Sequence, residues 1–160
     1  MFVKNWDIKG FRDRKPENIF DWVPCPSCMS VLFDNDYKIT NNTIIYEHAH
    51  APIKLNYPRA NNIGDCLEEK ISFIASANNI ITNTYHGAYW ALLLGKSVMM
   101  YEPFSNRHLL TPWRLPIIDR DWNHKICGVE EPTLLNSCRE ISISFYDRVC
   151  EFINSKKPLD

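Results

Sequence analysis

The stretch that decides the fold is residues 64–101, which read GDCLEEKISFIASANNIITNTYHGAYWALLLGKSVMMY. Four apolar side chains in its first half recur at helical spacing, namely Leu67, Ile71, Ile74 and Ala75. We expect this helix to begin with Asp65 as its N-cap. Residues 86–94 are apolar nearly all round, which predicts a second, buried helix that ends at Gly95. Two apolar runs have the length of strands, Ile80–Thr82 and Val98–Tyr101.

The alternation of helices and strands with short loops is typical of a parallel α/β sheet. The β-branched run Thr43–Glu47 adds a further buried strand. We therefore predict an α/β fold, a Rossmann-like parallel sheet flanked by helices, in one domain over residues 1–160. Within it, residues 1–42 form an irregular N-terminal segment, residues 43–110 form a βαβαβ core, and residues 133–155 form a long C-terminal helix.

Composition narrows the classes of function. Eighteen Lys and Arg residues against 19 Asp and Glu residues give a net charge of −1. This balance argues against nucleic acid or a membrane surface as the main partner, since both usually require a basic excess. The longest apolar run, Ala88–Leu94, is far shorter than the roughly 20 residues that a membrane span needs. Residues 1–7 show no secretory signal, so we expect a cytoplasmic chain without a membrane span.

Six cysteines are present, and in that compartment we expect them to be reduced thiols. Cys25 and Cys28 stand in a Pro-Cys-Pro-Ser-Cys run, which we expect to lack regular structure because proline restricts its own φ and the residue before it. The favoured interpretation is a tight turn that packs two small thiols. The alternative is a metal or redox role, and a redox role predicts a low-pKa thiol at one of the two.

The sharpest candidate site follows the strand that ends at Thr82. In open α/β sheets, ligands bind where the carboxyl ends of strands lead into helix N-termini, and those termini favour anions. His86 opens the second helix and can act as a cation, an acid or a base near neutral pH, so it is the catalytic candidate. The candidate donor-binding residues of this loop are Thr82, Asn83, Thr84, Tyr85 and Gly87. The alternative is that Thr84 only caps the helix and His86 packs beneath it.

A second candidate loop, residues 101–108, follows the next strand and should open on the same edge of the sheet. Its candidate donor-binding residues are Glu102, Ser105, Asn106 and Arg107. Ser105, Asn106 and Arg107 could hold a phosphate or a sugar hydroxyl, and Glu102 could accept hydrogen bonds from ribose hydroxyls. The alternative is a solvated loop with a helix cap at Ser105.

The run Glu47-His48-Ala49-His50 also follows a strand, and it is a conceivable metal cluster. Because no further ligand is identifiable, we predict neither a metal nor a cofactor. The position at a strand end still allows His48 or Glu47 to line the same cleft.

Residues 77–98, ANNIITNTYHGAYWALLLGKSV, resemble the hallmark of the polysaccharide pyruvyl transferase family. That hallmark is a strand, then Thr-Ser-Arg-Leu-His-Gly, an apolar helix and Leu-Gly-Lys-Pro-Val. Residues 22–30 resemble a Pro-Cys-x-Ser-Cys-Met element of some relatives, and the resemblance covers residues 22–110. Looser forms of the pattern occur in two-domain glycosyltransferases of the B type and in nucleotide-sugar epimerases.

The resemblance implies the C-terminal half of an enzyme whose His-Gly loop lines the site of a phosphoenolpyruvate or nucleotide-sugar donor. The enzyme would transfer a pyruvyl or glycosyl group to a saccharide acceptor in surface polysaccharide biosynthesis. His86 matches the family histidine, whereas Thr84 replaces the family arginine, a natural carboxylate clamp. This departure from the family pattern counts against the pyruvyl donor and leaves the glycosyl donor open. Relatives place their chemistry between two domains, so a homodimer or a partner N-terminal domain is expected. The alternative is a non-catalytic ligand-binding or assembly module that kept the fold without its partner domain.

Overall fold

The computed structural model describes residues 8–12, 21–110 and 112–155. Its strands are β1 (Gly10–Phe11), β2 (Asp21–Trp22), β3 (Asn41–Glu47), β4 (Arg59–Asn61), β5 (Ala77–Thr82), β6 (Ser97–Tyr101) and β7 (Ile117–Ile118). Its α-helices are α1 (Leu67–Ala75), α2 (Tyr85–Leu93) and α3 (Leu134–Ser155). Five strands form one sheet in the order β4-β3-β5-β6-β7, and every neighbouring pair is parallel. The predicted α/β class, a Rossmann-like parallel sheet with flanking helices and a long C-terminal helix, is confirmed.

The two faces of the sheet have different covers. One face packs against α1 and α2 through side chains such as Ile44, Ile80 and Val98, all fully buried, and α3 packs against α2. The opposite face, which includes Ile45 and Ile81, packs against irregular segments. Because both faces are covered, the central strands are continuous apolar runs rather than alternating ones.

Strands β3 and β5 are neighbours, and the chain leaves them towards opposite faces of the sheet. After β3 it passes to the face without helices, where Ile53 packs with Ile45 and Ile81 before β4 pairs at the edge. After β5 it passes directly into α2 on the other face. Such a reversal of strand order opens a crevice at the carboxyl ends of the two strands, which is where ligands bind in open α/β sheets.

Two arginines of α3, Arg139 and Arg148, hold the N-terminal segment against the body of the fold, and Arg148 lies 2.8 Å from a carboxylate oxygen of Asp21. Arg139 Nε donates to the carbonyl of Cys28 at 2.9 Å, and its Nη1 lies 2.6 Å from a carboxylate oxygen of Asp34. This hydrogen bond lowers the pKa of Asp34 below its usual value. Among the described residues, no helix has both the length and the apolar content to cross a membrane.

The structure corrects four details of the prediction. The first helix begins at Leu67 with Cys66 at its N-cap and no side-chain cap bond, so Asp65 is not the cap. Residues 26–29 form a 3-10 helix, although their proline content predicted no regular structure. The edge strands β4 and β7 are additional, because two or three residues paired only through the backbone carry no periodic apolar signal.

Truncation of the central strand tests this account of the core. Ile81→Ala removes a fully buried side chain and should lower the free energy of unfolding by about 2–5 kcal/mol. Ile63→Ala is the matched control, because Ile63 is 67% exposed, and its effect should stay within about 0.5 kcal/mol. Urea unfolding followed by circular dichroism measures both, and equal effects would contradict the assignment.

Candidate functional site

A cavity of about 290 Å³ lies at the carboxyl ends of β3 and β5. We call it the switch-point cavity, and its lining residues are Tyr46, His48, Asn62, Lys70, Asn83, Thr84, Tyr85, His86, Trp90, Phe104, Ser105 and Arg107. Among the described residues, this lining contains two permanent cations and two histidines, and it contains no carboxylate. The lining therefore favours an anion.

Two larger cavities lie away from this edge of the sheet. One, of about 370 Å³, lies between β2 and α3. The other, of about 390 Å³, lies beside the end of α2 and the residues that enter β6, which is the opposite edge. Neither position is the one where the topology of an open α/β sheet places ligands, so the switch-point cavity is the candidate site despite its smaller volume.

The structure brings six of the ten predicted site residues into the switch-point cavity: Asn83, Thr84, Tyr85, His86, Ser105 and Arg107. The other four, Thr82, Gly87, Glu102 and Asn106, do not line it. Glu102 and Asn106 are exposed on the second loop. The backbone N–H of Glu102 donates to the carbonyl of Ile118 at 3.1 Å, which joins the end of β6 to β7.

Thr82, Thr84 and Gly87 build the start of α2. The Thr84 hydroxyl accepts a hydrogen bond from the Gly87 N–H at 2.9 Å, so Thr84 is the helix N-cap. The fully buried Thr82 hydroxyl lies 3.1 Å from that of Thr84. A Cβ on Gly87 would come within 2.4 Å of the Thr82 hydroxyl and 2.6 Å of Tyr46 Cδ1. The glycine thus permits the close approach of the helix to the strands.

Asn83 joins three loops around the switch-point cavity. Its Oδ1 accepts from the His48 N–H at 2.8 Å, and its Nδ2 donates to the Ala51 carbonyl at 2.7 Å. Its own carbonyl accepts from the Phe104 N–H at 2.9 Å. Both ends of the side-chain amide are used within the protein, so Asn83 shapes the site by holding its walls.

The side chains of Glu47 and His48, at the end of β3, have different surroundings. The buried Glu47 carboxylate accepts from the Ile53 N–H at 2.6 Å and lies 3.5 Å from Arg59. The His48 ring stacks on Phe104 in the cavity, with ring centroids 3.7 Å apart. In the described part of the chain, no group of three or more His, Cys, Asp or Glu side chains is placed to hold a metal ion.

Arg107 enters the switch-point cavity from the second loop and lies over an aromatic ring of the first. Its guanidinium carbon is 5.2 Å from the centroid of Tyr85, and that of Arg12 is 5.6 Å from the same ring. Both distances are within the range of cation–π attraction. The two predicted loops are therefore joined at the cavity, as their shared edge of the sheet implied.

The structure also reveals a partner of His86 that the sequence analysis did not anticipate. His86 Nε2 lies 3.6 Å from the sulfur of Cys25, and the Ser27 hydroxyl donates to the same sulfur at 3.3 Å. Partial burial alone would raise the pKa of Cys25, but the hydrogen bonds from His86 and Ser27 outweigh it and lower that pKa to about 6. Because 61 residues separate Cys25 from His86, no local spacing could have signalled the pair.

The second thiol of the same turn is part of the core. Cys28 is fully buried, and its sulfur lies 3.7 Å from the Ser142 hydroxyl of α3. All six cysteines are free thiols. The interpretation of residues 24–28 as a tight turn of packed thiols thus describes Cys28 but not Cys25.

The hydroxyl of Tyr46 is a buried polar group in a residue that lines the switch-point cavity. Tyr46 is only 1% exposed, and its hydroxyl has no hydrogen-bond partner among the described residues. Burial raises its pKa to about 12, so the group keeps its proton at neutral pH. An unpaired buried hydroxyl costs about 1–3 kcal/mol, and a ligand oxygen in the switch-point cavity, which Tyr46 lines, would recover that loss.

No family model, curated protein or solved structure matches the chain. The resemblance to the polysaccharide pyruvyl transferase family therefore remains a hypothesis based on residues 22–110.

The packing of Gly87 gives a first prediction for the site. Gly87→Ala should lower the free energy of unfolding by about 1–3 kcal/mol through overpacking, although alanine is the better helix former. The steric contacts with Thr82 and Tyr46 are the reason. Thermal unfolding measures the effect, and a stabilised variant would show that the close approach is not needed.

The Cys25 pKa gives a second prediction. Between about pH 6 and the ordinary thiol pKa near 9, the folded chain carries a thiolate where the unfolded chain carries a thiol. The unfolded state therefore binds more protons, and stability rises with pH through this window. The stability advantage of the native chain over Cys25→Ser should grow from pH 6 to pH 9. The exposed Cys66, changed to serine, is the control, and a pH-independent difference for Cys25→Ser would contradict the pairing.

Proposed function

We propose that this chain is the donor-binding domain of a transferase that moves a pyruvyl or glycosyl group to a saccharide in surface polysaccharide biosynthesis. The observation that carries the proposal is the switch-point cavity, whose described lining joins Arg107 and Lys70 to His48 and His86 without a carboxylate. Such a set recognises phosphate or carboxylate groups, since charge-assisted hydrogen bonds are about twice as strong as neutral ones.

Arg107 supports a donor that carries a carboxylate. The family arginine two positions before the histidine is Thr84 here, and Thr84 is used as a helix cap. Arg107 reaches the same cavity from the neighbouring loop and lies over the Tyr85 ring. A planar guanidinium that binds carboxylates in bidentate fashion is therefore present at the site, supplied by a different loop.

The size of the cavity favours the smaller of the two donors. A volume of about 290 Å³ is at the lower end of ligand pockets, which are roughly 300–1,000 Å³. Phosphoenolpyruvate, with a phosphate and a carboxylate on three carbons, matches both the size and the charge. A nucleotide sugar would extend beyond the cavity.

Three groups would act on such a donor. The N-terminus of α2 places backbone N–H groups and the positive end of the helix dipole at the cavity. His86, in its first turn, would bind the donor phosphate or carboxylate and supply or accept the proton of the transfer. The Tyr46 hydroxyl would donate a hydrogen bond to a donor oxygen. The exposed ring of Phe104 at the same cavity offers an apolar surface to the saccharide acceptor.

Titration calorimetry with phosphoenolpyruvate and common nucleotide sugars tests the proposal. We expect phosphoenolpyruvate to bind, and Arg107→Gln and His86→Gln each to weaken binding about tenfold, equivalent to about 1.4 kcal/mol. Arg120→Gln is the matched control, because Arg120 is exposed and outside the cavity lining.

Two outcomes would contradict this assignment. One is an equal loss of affinity in Arg120→Gln, which would indicate a general charge effect. The other is unchanged affinity in both cavity variants. Binding without turnover in the presence of saccharide acceptors would favour the alternative of a non-catalytic module.

A further inference from the structure

The Cys25–His86 pair is a second chemical feature beside the switch-point cavity. Three residues of α2, His86, Tyr89 and Trp90, contact the turn that carries Cys25. The Tyr89 hydroxyl donates to the Cys25 carbonyl at 3.1 Å, and Trp90 Nε1 donates to the Ser27 hydroxyl at 3.1 Å. Spacings of three and four residues place these side chains on one face of the helix, so the pair is held by several independent contacts.

The orientation of the His86 ring is fixed from two more sides. Its centroid lies 5.1 Å from that of Trp90 and 5.3 Å from that of Tyr85. The ring therefore presents Nε2 to the Cys25 sulfur at 3.6 Å while it also lines the switch-point cavity. A sulfur nucleophile within hydrogen-bond reach of an oriented imidazole is the arrangement of an activated thiol.

The other thiols differ from Cys25 in their burial or in their neighbours. Cys28 and Cys138 are fully buried in the core, and burial raises the pKa of Cys138 to about 11. Cys66 and Cys127 are exposed, and Cys150, which is partly exposed, lies beside Tyr146. Cys25 is partly exposed, and partial access with an adjacent imidazole distinguishes oxidation-sensitive cysteines from inert structural ones.

We propose that Cys25 is a modification site for hydroperoxides, with His86 as the proton donor of the reaction. The Cys25 thiolate attacks one peroxide oxygen, a sulfur–oxygen bond forms and the oxygen–oxygen bond breaks. The leaving hydroxide or alkoxide takes the proton of the His86 imidazolium and becomes water or an alcohol. Sulfur is oxidised by two electrons to a sulfenic acid, the peroxide is reduced, and both members of the ion pair become neutral.

The modification also acts on the switch-point cavity. Oxidation adds an oxygen atom to the sulfur that lies 3.6 Å from His86 Nε2, so the hydrogen bond that holds this ring beside the cavity has to change. Oxidation of Cys25 should therefore weaken donor binding. This consequence rests on the proposed function, whereas the reaction at Cys25 does not.

The experiment exposes the folded, reduced chain to hydrogen peroxide at pH 6 and traps sulfenic acid with dimedone, followed by peptide mass spectrometry. At this pH about half of Cys25 is thiolate, against less than about one part in a hundred of an ordinary thiol. The lower nucleophilicity of a low-pKa thiolate offsets part of this advantage. We expect Cys25 to be labelled about tenfold faster than Cys66 and Cys127, and dithiothreitol added before dimedone to prevent the labelling.

His86→Gln should remove the faster labelling of Cys25 and shift the pH profile of its labelling to higher pH, towards that of Cys66. Circular dichroism establishes that the variant folds. If the variant does not fold, Ser27→Ala replaces it in the test. This substitution removes the other hydrogen bond to the sulfur, and it should also shift the pH profile of Cys25 labelling to higher pH. Cys66→Ser should leave the rate at Cys25 unchanged.

Equal labelling of Cys25, Cys66 and Cys127 at pH 6 would overturn the proposal. So would an unchanged Cys25 pH profile in folded His86→Gln. Because labelling is measured without any donor, its failure leaves the proposed function standing. Conversely, if the reduced chain is labelled at Cys25 but binds no donor, only the proposed function is rejected.

Discussion

The parallel pairing of β3 with β5 is the constraint on which the rest of the structure depends. Their register sets Tyr46 opposite Thr82 at the last rung, and the chain then leaves the two strands towards opposite faces of the sheet. A crevice between the departing segments follows from that geometry alone. Asn83 holds its walls together through two side-chain hydrogen bonds. The topology thus opens the cavity, and side chains of α1, of α2 and of the loops give it its charge.

The amino end of α2 links the two chemical features of the molecule. Thr84 caps the helix, and Gly87 lets it approach β3 and β5 closely. These contacts place His86 between the switch-point cavity and the Cys25 sulfur. A substitution of this one imidazole therefore changes both the lining of the cavity and the hydrogen bonding of the thiol.

The sequence predicted the parts of the fold that bury continuous apolar runs, as in β5 and β6, and the loop that carries His86. It did not predict β4, because a three-residue polar edge strand is defined by backbone pairing and has no side-chain pattern. It placed Glu102 in the site because the residue follows a strand, but Glu102 is exposed and outside the cavity lining. The contact of Cys25 with His86 depends on tertiary packing across 61 residues, which no local spacing encodes.

The most direct test of the central claim is a titration of the isotope-labelled chain with phosphoenolpyruvate, followed by amide chemical shifts in two-dimensional NMR. Binding in the switch-point cavity predicts that the largest shifts cluster at residues 46–48, 83–87 and 104–107, which meet there. The amides around the cavity between β2 and α3, such as those of Ile141 and Phe145, should stay unchanged. Shifts centred on that second cavity, or none at millimolar donor, would contradict the account.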